Sequence, residues 1–130
     1  MRWVINRTTG LLATTALAVM ATVGMSGTAT AAAKQGVCAP GPPVYLTTVV
    51  SQWTHRRPDA DASTHTGTLF AGCNYFYCWT EGQLYSDNGR DSDTWLRTDD
   101  DFGYTDVYVN DVYLDTWGFR NDVRVLPRCN

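Results

Sequence analysis

The chain reads as a small all-β domain, a barrel or sandwich stapled by two disulfides. Three observations predict it. No segment sustains a 3.6-residue apolar period, so helix content should be low. Short β-branched and aromatic runs alternate with turn-forming stretches in under a hundred residues. Four cysteines, an even number, fall in a short chain that opens with an export leader.

The leader comes first. Arg2 and Arg7 form a positive start, Leu11 to Val23 is an uncharged apolar run, and small residues end in Ala31-Ala32-Ala33 before Lys34. That order is a secretory signal peptide, residues 1–33, with an Ala-x-Ala cleavage box. The apolar run is too short for a membrane span. Cys38 lies five residues past Ala33, too far to be a lipid-anchored cysteine. Cleavage leaves 97 residues with eight Lys+Arg against 13 Asp+Glu, a net charge of −5. An acidic surface repels phosphate backbones and anionic lipid, which argues against nucleic-acid and membrane partners. Twelve of the acids are Asp, a turn former rather than a helix former.

Residues 34–44 are Gly/Pro-rich and read as an extended lead-in held by Cys38. Tyr45 to Trp53 (YLTTVVSQW) is a first strand. His55 to His65 carries Pro58 and polar residues, a long loop. Gly67 to Phe70 is a short strand, and Asn74 to Thr80 (NYFYCWT) is the strongest β signal. Within it Tyr75, Tyr77 and Trp79 share one face, and Phe76 and Cys78 share the other, which suits the interior. The first face either packs under the loops or the tail, or forms an aromatic ligand platform. Gly82 to Asp93 is a second long loop. Thr94–Thr98 and Tyr104–Val109 are strands joined through Asp99-Asp100-Asp101 and Gly103, a hairpin with a five-residue connection. Asn110 to Leu126 is aromatic but irregular.

Two disulfides among Cys38, Cys73, Cys78 and Cys129 allow three connectivities. A Cys73–Cys78 pair would require a strand-like tetrapeptide to fold back on itself, against the usual Cα separation of about 5.5 Å. Zinc would want paired C-x-x-C knuckles, which are missing.

The order of motifs resembles a bacterial SH3-like (SH3b) domain of the short secreted actinobacterial type. The matching pieces are the Pro58 loop, Thr66-Gly67-Thr68-Leu69, Gly72, and Tyr77-Cys78-Trp79-Thr80-Glu81-Gly82. Thr94-Trp95-Leu96-Arg97, Gly103 to Val109, and Leu126-Pro127-Arg128-Cys129 follow. The similarity covers about Tyr45 to Cys129, so the SH3-like domain is 45–130. The resemblance implies a half-open barrel of five to six short strands. It implies the pairing Cys78–Cys129 with Cys38–Cys73, and a non-catalytic module that recognises cell-wall peptide or a protein partner. One motif departs: where the family has Asn-Val-Arg-x-Gly-Pro, this chain has Trp53-Thr54-His55-Arg56-Arg57-Pro58, and only the proline matches.

In that frame the ligand groove lies between the two long loops. The residues expected there are Trp53, His55, Asp59, Tyr85, Trp95 and Trp117, aromatics for stacking and Asp59 for a cationic or peptide ligand. Trp95 reads equally as core. Catalysis lacks its usual signatures: there is no Gly-x-Ser-x-Gly elbow, His55 and His65 share one loop, and Glu81 is the sole glutamate. Glu81 with an aspartate would be the pair for a small hydrolase. Asp99–Asp101 and Asp87-x-x-x-Asp91-x-Asp93 do not fit an EF-hand register around Gly103 or Gly89. No cofactor is expected. A secreted protease inhibitor, with His55–His65 or Gly82–Asp93 as its exposed loop, is the alternative.

Overall fold

The computed structural model describes residues 36–130. The expected signal peptide and the first two residues of the lead-in lie outside the described residues. The fold is mostly β: β1 (Val44–Thr48), β2 (Gln52–His55), β3 (His65–Leu69), β4 (Gly72–Phe76), β5 (Cys78–Asp87), β6 (Arg90–Thr98) and β7 (Val107–Asn110). Two 3₁₀ turns, Ala62–Thr64 and Asp111–Tyr113, and one helix, α1 (Thr116–Val125), complete it. β1 and β4 form a two-stranded sheet, and the other strands form a sheet in the order β3-β2-β7-β6-β5. Every strand pairing is antiparallel. The strands do not close into a complete barrel.

NYFYCWT, read as one strand, divides at Tyr77 between β4 and β5 of different sheets, but its burial alternates as the pattern requires: Phe76 and Cys78 are buried, while Tyr75, Tyr77 and Trp79 are not. Phe76 joins Leu46, Leu69, Leu96, Val109, Leu114 and Leu126 in one apolar core. Trp79 and Trp117 pack against it from the side. The disulfides are Cys38–Cys73 and Cys78–Cys129, with Cα atoms 5.7 and 5.0 Å apart. One ties the lead-in to β4. The other ties the tail to β5, where Trp79 also bridges Arg128. Such links contribute roughly 2–4 kcal/mol each, substantial for a core this small.

Four sequence expectations are corrected. YLTTVVSQW is two strands, because β1 serves one sheet and β2 the other, with Val49 and Val50 exposed at the crossing. Gly82–Asp93 is not a loop; it is a long hairpin turned by Asn88 and Gly89, both at positive φ (54° and 69°). Asn-Gly between strands is the usual two-residue hairpin turn. The hairpin beyond it does form, with Thr98 opposite Val107, but residues 104–106 are not strand. Asp100 Oδ1 accepts from the Phe102 and Tyr104 amides and Asp99 Oδ1 from that of Asp106. These bonds wind the chain out of strand geometry until Val107.

The fourth correction is α1. The stretch from Asn110 to Leu126, read as aromatic but irregular, holds a ten-residue helix. Capping sets its ends. Asp115 accepts from the Gly118 amide, Asn121 Nδ2 donates to the Trp117 carbonyl, and Leu126 N closes on Asp122 O before Pro127. A side chain at Gly118 would crowd Asp115 Oδ1 at 3.0 Å and Leu114 Cβ at 3.2 Å.

The helix docks through an uncommon pair. Asp111, in the second 3₁₀ turn, and Asp122, in α1, are 3% and 2% exposed. Asp111 Oδ1 and Asp122 Oδ2 have no conventional hydrogen-bond partner among the described residues. Burial pushes both carboxyls above the usual range, and the closeness of Asp122 pushes Asp111 up further. Folded-state pKa values raised above the unfolded ones give stability that is complete at low pH. That stability is lost as pH climbs from about 4 through the raised values. Asp111→Asn removes the larger part of this titration. Urea unfolding from mildly acid to mildly alkaline pH should show the variant gaining on the natural chain as pH rises. Parallel pH curves would refute the raised carboxyls.

Candidate functional site

One side of the five-stranded sheet carries a cleft of about 390 Å³. Its position follows from the strand pairing. β2 and β7 are paired at His55 and Tyr108, and the cleft is lined by residues of both strands beyond that pair. Ser51, Gln52, Trp53 and His55 line it from β2 and its approach, Asn110 and Tyr113 from β7 and the following turn. Tyr85, Trp95 and Ala60 complete the lining.

Trp95 forms part of the cleft while remaining 2% exposed. Its Nε1 donates to the Gln83 carbonyl at 2.9 Å. Gln83 also donates its amide to the Pro58 carbonyl and accepts from Ala60 N through Oε1. One residue thus holds the Pro58 loop against β5 and over Trp95. Gly82 permits this approach, since a Cβ there would stand 2.7 Å from Trp95 Cδ1 and clash with Pro58. On the far wall Tyr85 and Tyr113 share a hydroxyl–hydroxyl bond of 3.2 Å, and the Tyr113 hydroxyl donates onward to Asp87. Burial, then these partners, push Tyr113 well above the usual phenol range.

His55 is 6% exposed and its tautomer is legible. Thr64 Oγ1 lies 2.5 Å from Asp59 Oδ1 and 2.8 Å from the Asp61 carbonyl, so its single proton is committed to acceptors. The 3.0 Å contact between His55 Nδ1 and Thr64 Oγ1 therefore places the proton on Nδ1. Nε2 remains as the lone pair. Burial lowers the imidazole pKa, against the opposing pull of the Asp61 carbonyl and Asp59. Outside, Trp53 is 59% exposed and stacks on His65, with centroids 4.1 Å apart and planes at 20°. His65 Nε2 meets the Gly67 carbonyl at 3.0 Å, which steadies the stack.

Of the six residues expected at a ligand groove, Trp53, His55, Tyr85 and Trp95 meet in this cleft. Asp59 does not line it. Its carboxylate is spent on Thr64, on Arg57 Nε and on the Asp61 amide, so it braces His55 from behind. Trp117 packs against the core instead. The cleft also uses Gln52, Asn110 and Tyr113, which sequence reading did not single out. Gln52 is 7% exposed, and its Nε2 has no hydrogen-bond partner among the described residues. Asn110, by contrast, is satisfied by Ser92 O and Val112 N. For Gln52 and Asn110 the available signal was a polar residue at the end of a strand.

The other candidates are placed elsewhere. Asp99 accepts from the Tyr75 and Tyr77 hydroxyls at 2.9 and 2.6 Å, which occupies the polar ends of the expected aromatic platform. Asp100 Oδ2 accepts from Thr54, and Asp101 Oδ2 from the Phe70 amide. The acidic triplet thus ties the connection to β2, β3 and β4. Asp91 and Asp93 are exposed on β6, and Glu81 pairs with Arg128 at 3.3 Å on the surface. No group of three or more potential metal ligands is found among the described residues. No helix among the described residues is long and apolar enough to cross a membrane. Comparison of the chain with protein-family models, with curated proteins and with solved structures finds no match.

The relay predicts a neutral, Nδ1-protonated His55 at pH 7 with a titration midpoint below 6.5. Long-range ¹H–¹⁵N correlation spectra report the tautomer directly. Because the folded value is depressed, protonating His55 costs stability as pH falls below that of a free histidine. Thr64→Val should release the tautomer. An Nε2-protonated ring in the natural protein would sink the assignment.

Proposed function

We propose that the protein is an exported, non-catalytic binding module of the SH3-like kind whose cleft takes cell-wall material or a protein partner. The observation that carries this reading is the convergence of four aromatic side chains on one neutral cleft. Trp53, Tyr85, Trp95 and Tyr113 surround a buried amide, Gln52, that has hydrogen-bonding capacity left over. Largely apolar walls with a few unspent polar groups are the usual make-up of a ligand site. Export is supported by the leader and by two disulfides with no free cysteine among the described residues.

The lining holds one base, His55, and neither a carboxylate nor a thiol beside it, which favours binding over hydrolysis. The inhibitor alternative draws less support. One of its two loops is a hairpin, and the other is braced by hydrogen bonds among Asp59, Asp61, Ser63 and Thr64.

Co-sedimentation of the oxidised, exported protein with purified cell-wall sacculi tests the proposal. The natural protein should pellet, and Trp53→Ala, a change at an exposed position, should weaken retention by about tenfold. Retention unchanged by that substitution would remove the cleft from the binding event.

A further inference from the structure

We infer that the cleft recognises a neutral acetamido sugar, an N-acetylhexosamine unit, through its secondary amide and one face of its ring. The inference rests on the reading of the cleft as a binding site and names what that site selects.

Charge is the first consideration. The cleft lining contains no lysine, arginine, aspartate or glutamate, and burial favours the uncharged form of His55. The neighbouring carboxylates are already occupied: Asp59 accepts from Thr64 and Asp87 accepts from the Tyr113 hydroxyl. A charged ligand group would lose its water there with no opposite charge in the lining to compensate it. A neutral ligand loses nothing of the kind.

Hydrogen bonding is the second. Gln52 is the lining side chain whose buried donor is unmatched. A half-turn about its last bond exchanges nitrogen and oxygen, so the amide can present N–H to the cleft. His55 presents the opposite character, because its Nδ1 proton is committed to Thr64 and Nε2 is left as an acceptor. A donor and an acceptor on one short strand complement the carbonyl and N–H of a secondary amide. An acetamido group offers both within one compact unit.

Shape is the third. Trp53 presents an open indole face whose other side is backed by His65 at 4.1 Å. Such a fixed, flat, half-apolar surface suits the C–H face of a pyranose ring, which keeps its hydroxyls at the rim and in water. At about 390 Å³ the cleft lies at the small end of ligand sites, fitting one ring with its substituent rather than a length of extended chain.

The test is a ¹H–¹⁵N titration of the oxidised protein with four probes: an N-acetylglucosamine tetramer, cellotetraose, an acetyl-capped tetra-alanine, and soluble cell-wall fragments. The acetylated tetramer should shift the Gln52 side-chain amide, the Trp53 indole and His55. Cellotetraose, which has the ring without the acetamido group, should bind at least about tenfold more weakly. Trp53→Ala should lose affinity for the acetylated tetramer by a similar factor while its spectrum stays folded. Equal binding of cellotetraose would overturn the acetamido assignment. Shifts of the cleft resonances by tetra-alanine or by cell-wall fragments, with none from either sugar, would overturn the sugar and leave the cleft reading standing. No shift in the cleft with any of the four probes would overturn both.

Discussion

The indole N–H of Trp95 donating to the Gln83 carbonyl is the bond on which the rest of the site depends. A tryptophan buried to 2% exposure must satisfy that donor, and the partner it finds lies where the β5–β6 register shifts, between Glu81 and Tyr85. With its carbonyl turned to Trp95, Gln83 still has its amide and its side-chain oxygen. Both hold the Pro58 loop. Leu96, the next residue of β6, points to the opposite face and belongs to the apolar core, while Trp95 lines the cleft. One side chain therefore couples the cleft, a bulged strand and the loop that forms a wall. Gly82 is small because this approach leaves no room for a Cβ.

Acidic residues do a second kind of work. In a chain with 13 acids, many carboxylates are turned inward onto donors rather than outward to solvent or to cations. Asp99 and Asp100 wind the long β6–β7 connection, Asp101 fastens it to Phe70, Asp115 starts the helix, and Asp61 caps the first 3₁₀ turn. Short carboxylates satisfy amides that no ladder reaches, as irregular segments in a small domain demand. Asp111 and Asp122 go further, since both are buried and burial pushes both carboxyls above the usual range.

Much of the fold was legible in local pattern. The period-2 alternation of Asn74–Thr80 identified its buried face, the even cysteine count implied two bridges, and the SH3-like motif order implied which. Local pattern gave no signal where no period is sustained. Asn110 to Leu126 reads as irregular, yet the Asp115 cap and the stop before Pro127 make Thr116–Val125 a helix. The loop composition of Gly82–Asp93 concealed strands because an edge hairpin tolerates polar residues on both faces, and its turn signal, Asn88-Gly89, was the better guide.

Sequence alone determined the fold class and the disulfide count, which follow from residue type and near-neighbour spacing. The resemblance to SH3-like domains pointed to four aromatic or imidazole residues that line the cleft. Tertiary structure decided that Asp59 stands behind His55, that Trp117 faces the core, and that Gln52 carries an unmatched buried amide. Each of those depends on what a side chain meets from a distant strand, and hydrogen-bond satisfaction across the chain is not encoded in any local period. The acidic triplet shows the division plainly. Its place at a turn was written in its composition, whereas its partners, Thr54, Phe70, Tyr75 and Tyr77, came only with the fold.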